Sequence, residues 1–136
     1  MSALSIYVAG GSADRATIAT LIAELRGAGW TVTHDWTRGP GWTDPSHPRE
    51  ISANEDLHGV FAARVFWLVL PEAKSEGAHF ELGVAVALGF DDPSRDVIVS
   101  GPAETLGRIF PTLADVSFDR HADALEYLLA RAREHG

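Results

Sequence analysis

RVFWLVLPEAKSEGAHFELGVAVALG, Arg64–Gly89, contains the two patterns from which the rest of the chain can be read. Its first part, Val65–Leu70, is a continuous apolar run of strand length that Pro71 ends, as expected of a central strand covered on both faces. Its second part, Gly77–Gly89, has the length of a helix and is apolar on every side, apart from His79 and Glu81. A covered strand followed directly by a buried helix is one step of an alternating α/β chain.

The alternation continues in both directions. Leu4–Ala9 is a short apolar run ending in Gly10-Gly11, and Ala13–Gly27 repeats apolar residues at helical spacing through Ile18, Leu21, Ile22 and Leu25. GAGW closes that helix, and WTVTHDW, Trp30–Trp36, alternates like a strand with Trp30, Val32 and His34 on one side. Residues 36–50 hold three of the seven prolines and two glycines, which predicts a long loop, and a loop of that length in a small domain is usually functional. Ile51–Ala63 fits a helix, DVIVSG (96–101) and ADVSF (114–118) fit a fourth and a fifth strand, and Ala122–Arg133 closes the chain as an amphipathic helix. The fold class predicted is α/β: one Rossmann-like or flavodoxin-like three-layer domain over residues 1–136, with a parallel sheet of about five strands. Ligands then belong outside the carboxyl ends of the strands.

Composition narrows the partners. The formal net charge is −8 over 136 residues, which disfavours a protein that grips a nucleic-acid polymer through clustered Lys and Arg, and leaves a small-molecule ligand open. With no cysteine there is no disulfide framework, no thiolate metal site and no cysteine nucleophile. MSALSIYVAGG lacks the basic start of a signal peptide, and no run approaches the ~20 apolar residues of a membrane span, so the expected setting is cytoplasmic, away from a membrane. The six histidines show no ligand spacing and no carboxylate cluster implies Mg2+, so neither a metal nor a cofactor is expected.

Three segments fall at strand carboxyl ends: YVAGGSADR, the Pro-rich loop, and PEAKSEGAHFE. Gly10, Gly11 and Ser12 can turn backbone N–H groups toward an anion at a helix start, although a plain strand-to-helix turn explains the same glycines, and neither G-x-G-x-x-G nor P-loop spacing is present. Glu81 is the exception in its helix. A Glu near a helix start gains about 0.3–1 kcal/mol from the dipole, yet a lone carboxylate in an apolar helix is costly unless it faces a polar cavity, so Glu81 is expected to line the cleft. Gly83, in the helix interior, costs about 1 kcal/mol relative to Ala and suggests a close approach to the backbone. Trp36 and Trp42 are candidates for stacking on a nucleobase, or else anchor their own loop.

IYVAGG, then EDLHGV, an apolar strand and SEGAHFELGVA resemble, in order and spacing over residues 6 to about 100, the motifs of the nucleoside 2-deoxyribosyltransferase-like superfamily, including its nucleoside 5'-monophosphate N-glycosidase branch. The resemblance implies that Glu81 attacks the anomeric carbon, that Tyr7 hydrogen-bonds and positions it, and that Asp56 assists the departing base. It further implies that Ser75, with the N–H groups of Gly77 and Ala78, holds a 5'-phosphate, and that the chain works as a homodimer or larger homo-oligomer whose neighbouring subunit helps to close the pocket. Each residue also has a plain alternative: Tyr7 as layer packing, Asp56 as an exposed helix residue, Ser75 as a helix cap. GGSADR is shorter than the phosphate loop of the monophosphate enzymes, leaving Arg15 and the loop amides as its anion partners, and Arg64 stands near a position that is often acidic in relatives. The function expected is cleavage of the N-glycosidic bond of a nucleoside 5'-monophosphate or nucleoside with release of the base. The alternatives are base exchange, as in nucleoside deoxyribosyltransferases, NAD glycohydrolysis, and non-catalytic binding of a nucleotide or NAD derivative.

Overall fold

The computed structural model describes residues 2–39, 44–70, 75–102 and 110–135. Within them the chain runs β1 (Ser5–Ala9), α1 (Arg15–Gly27), β2 (Thr31–Val32), α2 (Arg49–Ala62), β3 (Val65–Val69), α3 (Glu76–Asp91), β4 (Asp96–Ser100), β5 (Val116–Phe118) and α4 (His121–His135). The five strands form one parallel sheet in the order β2-β1-β3-β4-β5. This is the α/β architecture of a Rossmann-like or flavodoxin-like three-layer domain.

The pleat divides the core. Successive strand residues point to opposite faces, so Ile6, Val8, Val65, Trp67 and Val69 meet α1 and α4 on one side of the sheet. Tyr7, Ala9, Phe66 and Leu68 meet α2 and α3 on the other. All five residues of β3 are buried because the strand has neighbours on both edges and helices on both faces, which is why its sequence is an unbroken apolar run. Its Trp67 places the indole N–H on Ser100 Oγ at 2.8 Å, and that oxygen lies 2.7 Å from His121 Nδ1, so a polar chain crosses from β3 to the start of α4.

Two elements depart from the sequence pattern. The alternation through His34 predicts a longer second strand, but β2 pairs with β1 only at Thr31 and Val32. The chain leaves the sheet because Thr33 turns its hydroxyl to Gly59 O on α2 (2.6 Å), and Asp35 then caps a short 3-10 turn, Trp36–Arg38. The second departure is α3, whose apolar sequence predicts burial all round. Only Ala78, Glu81, Leu82 and Ala85 are buried, while Phe80 and Phe90 are 62 % and 81 % exposed, because one face rests on the sheet and α2 and the opposite face is covered only in part, with Leu113 beside it.

The strand order sets the site. From β1 the chain crosses to β2 at one edge, then returns past β1 to β3 and proceeds to the other edge. The segments leaving β1 and β3 therefore diverge, and a crevice opens between them at the carboxyl end of the sheet.

Candidate active site

A cavity of about 370 Å³ lies in that crevice, within the size range of small-ligand sites. Its walls come from the end of β1, the turn after it, the chain beyond β2, one face of α2 and the first turns of α3.

At its base, Tyr7 Oη donates to Glu81 Oε2 at 2.8 Å, and both side chains are buried. Strand alternation aims Tyr7 at the α2/α3 layer, and helical spacing sets Glu81 on the same buried face of α3 as Ala78, Leu82 and Ala85. Burial pushes the Glu81 carboxyl up to about 7; the Tyr7 hydrogen bond pulls the other way, and the nearby Asp56 charge adds to the rise. Burial, then the charges of Glu81 and Asp56, push the Tyr7 phenol far above its ordinary value, so Tyr7 stays a donor. Dipole stabilisation would hold Glu81 ionised, but Glu81 is the sixth residue of α3, past the first turn where the dipole acts, and burial dominates.

Asp56 faces the same cavity from α2, and burial raises its carboxyl above the ordinary value, partly offset by His34. His34 Nε2 lies 3.3 Å from Asp56 Oδ1. Gly59 makes room for this meeting. A Cβ there would come within 2.7 Å of His34 Cβ and 2.8 Å of the Tyr7 ring, so the glycine is required for α2 to approach both residues.

Seven of the other sequence candidates line the same cavity: Gly10, Ser12, Arg15, Trp36, Ser75, Gly77 and Ala78. Gly10 is needed for packing, since a Cβ would fall 2.2 Å from Ile18 Cδ1 of α1. Arg15 donates to Thr37 O at 3.1 Å with its guanidinium 6.0 Å from the Trp36 ring centroid, and Trp36 Nε1 donates to Val8 O at 2.8 Å, so these two side chains fasten the start of the Pro-rich loop beside the cavity. Ser75 does cap α3, accepting from Ala78 N at 3.3 Å, and it also lines the cavity.

Gly11 and Gly83 sit elsewhere. Gly11 is buried beside the cavity rather than lining it, its carbonyl accepting from Asp14 N at 2.9 Å in the 3-10 turn Ser12–Asp14 that precedes α1. Gly83 is exposed on the outer face of α3 with open space where a Cβ would stand, so among the described residues nothing approaches its backbone closely. Trp42 lies outside the described residues.

The cavity also holds residues that motif spacing did not single out: His34, His47, Arg49, Ser52 and Glu55. Four of them share the α2 segment and its approach, where His47 Nε2 pairs with Glu55 Oε1 at 2.7 Å and ties the end of the Pro-rich loop to the helix. Among the described residues, no group of three or more His, Asp or Glu side chains converges as a metal site, and no helix is long and apolar enough to cross a membrane. In comparison with known proteins, no protein-family model matches the chain, and no curated protein is significantly similar to it.

Proposed function

We propose that this chain cleaves the N-glycosidic bond of a nucleoside 5'-monophosphate, or of the nucleoside itself, and releases the free base, as a member of the nucleoside 2-deoxyribosyltransferase-like superfamily. The observation that carries the reading is the buried Tyr7–Glu81 hydrogen bond at the base of the β1/β3 cavity. Tyr7 engages Glu81 Oε2 and leaves Oε1 for the anomeric carbon. As the C1'–N bond breaks, its electron pair goes to the base nitrogen, which takes a proton from Asp56, and Glu81 forms a glycosyl ester. Water, with Asp56 now as base, attacks C1', and Glu81 leaves as the carboxylate.

A carboxyl pushed up to about 7 keeps an ionised fraction at neutral pH and is more basic than an ordinary glutamate. Arg15, Ser12, Ser75 and Gly77 at the start of α3 line the same cavity and offer donors for a 5'-phosphate. No cofactor enters this chemistry. A screen of nucleosides and their 5'-monophosphates for base release, with wild type and Glu81→Gln, tests the reading. Release by wild type that Glu81→Gln abolishes is expected; a fully active Gln variant or an inert wild type overturns it. Addition of a second free base distinguishes hydrolysis from exchange, which alone yields a new nucleoside.

The proposal extends to a cytoplasmic setting and a homodimer. The outer face of α3 supports the latter: Phe80 and Phe90 stand exposed beside Gly83, Val86, Ala87 and Leu113 around a shallow apolar cavity. Light scattering on wild type and a Phe80→Glu, Phe90→Glu variant should show a dimer converted to monomer; a monomeric wild type removes this part of the proposal.

A further inference from the structure

Resting on that glycosidic reading, we propose that His34 is a positioning residue for the general acid: it holds one oxygen of Asp56 so that the other is presented to the departing base. His34 Nε2 lies 3.3 Å from Asp56 Oδ1, and both side chains line the cavity that contains Tyr7 and Glu81. An exposed His–Asp contact would by itself mean little. This one is held from both sides.

Before it, Thr33 donates its backbone N–H to Ile6 O at 2.9 Å and its hydroxyl to Gly59 O at 2.6 Å, so the residue adjoining His34 is bonded both to β1 and to α2. After it, the Asp35 carboxylate accepts from Thr37 N at 3.0 Å and pairs with Arg26 at 3.2 Å. The α2 side is set equally closely: Gly59 lies three residues beyond Asp56, on the same helix face, and has no Cβ where His34 Cβ passes. The short second strand fits this arrangement, since Thr33 makes the last backbone bond to β1 while its hydroxyl already engages α2.

The chemical consequence follows from the leaving group. An unmodified purine departs as an anion unless a proton arrives with bond cleavage, so its release depends on how Asp56 is aimed. A 7-methylpurine already carries a positive charge in the nucleotide and departs neutral, so its release needs Glu81 but not a proton from Asp56. Loss of His34 therefore penalises the first substrate and spares the second, which a merely structural role would not do.

The experiment measures kcat for a purine nucleoside 5'-monophosphate and for its 7-methyl counterpart, with wild type, His34→Leu, His34→Gln and Glu81→Gln, each checked by circular dichroism. His34→Leu should slow the unmodified substrate by about 10–100-fold and the methylated one by less than about 3-fold, while His34→Gln, which keeps an N–H at a similar reach, recovers most of the loss. Equal slowing of both substrates, loss of the fold, or no slowing of either overturns the role of His34 while Glu81→Gln remains inactive on both. Full activity of Glu81→Gln, or no release by wild type, overturns the glycosidic reading itself.

Discussion

Replacing Glu81 by Gln should make the protein more stable above neutral pH, although it removes the proposed nucleophile. Folding raises the proton affinity of this carboxyl from its ordinary value of 4.5 to about 7, chiefly by burial. At about 1.4 kcal/mol for each tenfold in affinity, keeping Glu81 ionised in the fold costs about 3 kcal/mol. The contribution of Glu81 to stability is therefore fully present below about 4.5 and is lost as pH rises through about 7. Gln has nearly the same shape, stays neutral, and its carbonyl oxygen still accepts from Tyr7 Oη. Urea unfolding at pH 4 and pH 8.5 measures the effect, since the carboxylates remote from Glu81 titrate alike in both proteins and cancel in the comparison. The two should be about equally stable at pH 4, and the Gln variant should gain about 3 kcal/mol at pH 8.5, or about 10 °C in Tm. A pH-independent difference, or a Gln variant less stable at pH 8.5, refutes the claim that Glu81 is held against its desolvation cost.

Two further substitutions probe the geometry. Gly59→Ala adds a methyl group 2.7 Å from His34 Cβ and 2.8 Å from the Tyr7 ring; despite about 1 kcal/mol of improved helix propensity, overpacking should give a net destabilisation of about 1–2 kcal/mol in urea unfolding and a lower kcat. Tyr7→Phe removes the hydrogen bond that lowers the Glu81 carboxyl, so the acid limb of kcat/KM, expected near pH 7 in wild type, should move to higher pH; an unmoved limb means that another group carries it.

The parts of the fold that were legible in sequence were those set by burial on repeating positions. Val65–Val69 is apolar without interruption because it lies between two strands and two helix layers, and Glu81 was conspicuous because it breaks an apolar helix at a position that proves to be buried. Side-chain bonds that override the pattern were not legible. Thr33 reaching across to Gly59 ends β2 early, and nothing in WTVTHDW announces a partner 26 residues away. The same limit hid His34, whose meeting with Asp56 exists only once β1, β2 and α2 are assembled. Helix composition alone did not show which face of α3 carries Gly83; it lies away from the cavity, on a face bordered by Phe80 and Phe90. Trp36 anchors its loop through the indole N–H on Val8, and it also lines the cavity.

The central claim is that Glu81 Oε1 bonds covalently to the sugar. A 2-fluoro-2-deoxy nucleoside or its 5'-monophosphate, whose electron-poor C1' slows hydrolysis of the ester more than its formation when the base leaves readily, allows that bond to be caught. Intact-protein mass spectrometry after brief incubation should show one added fluorosugar unit, fragmentation should map it to Glu81, and Glu81→Gln should carry none. Base release with no adduct, or an adduct on any other residue, contradicts the account.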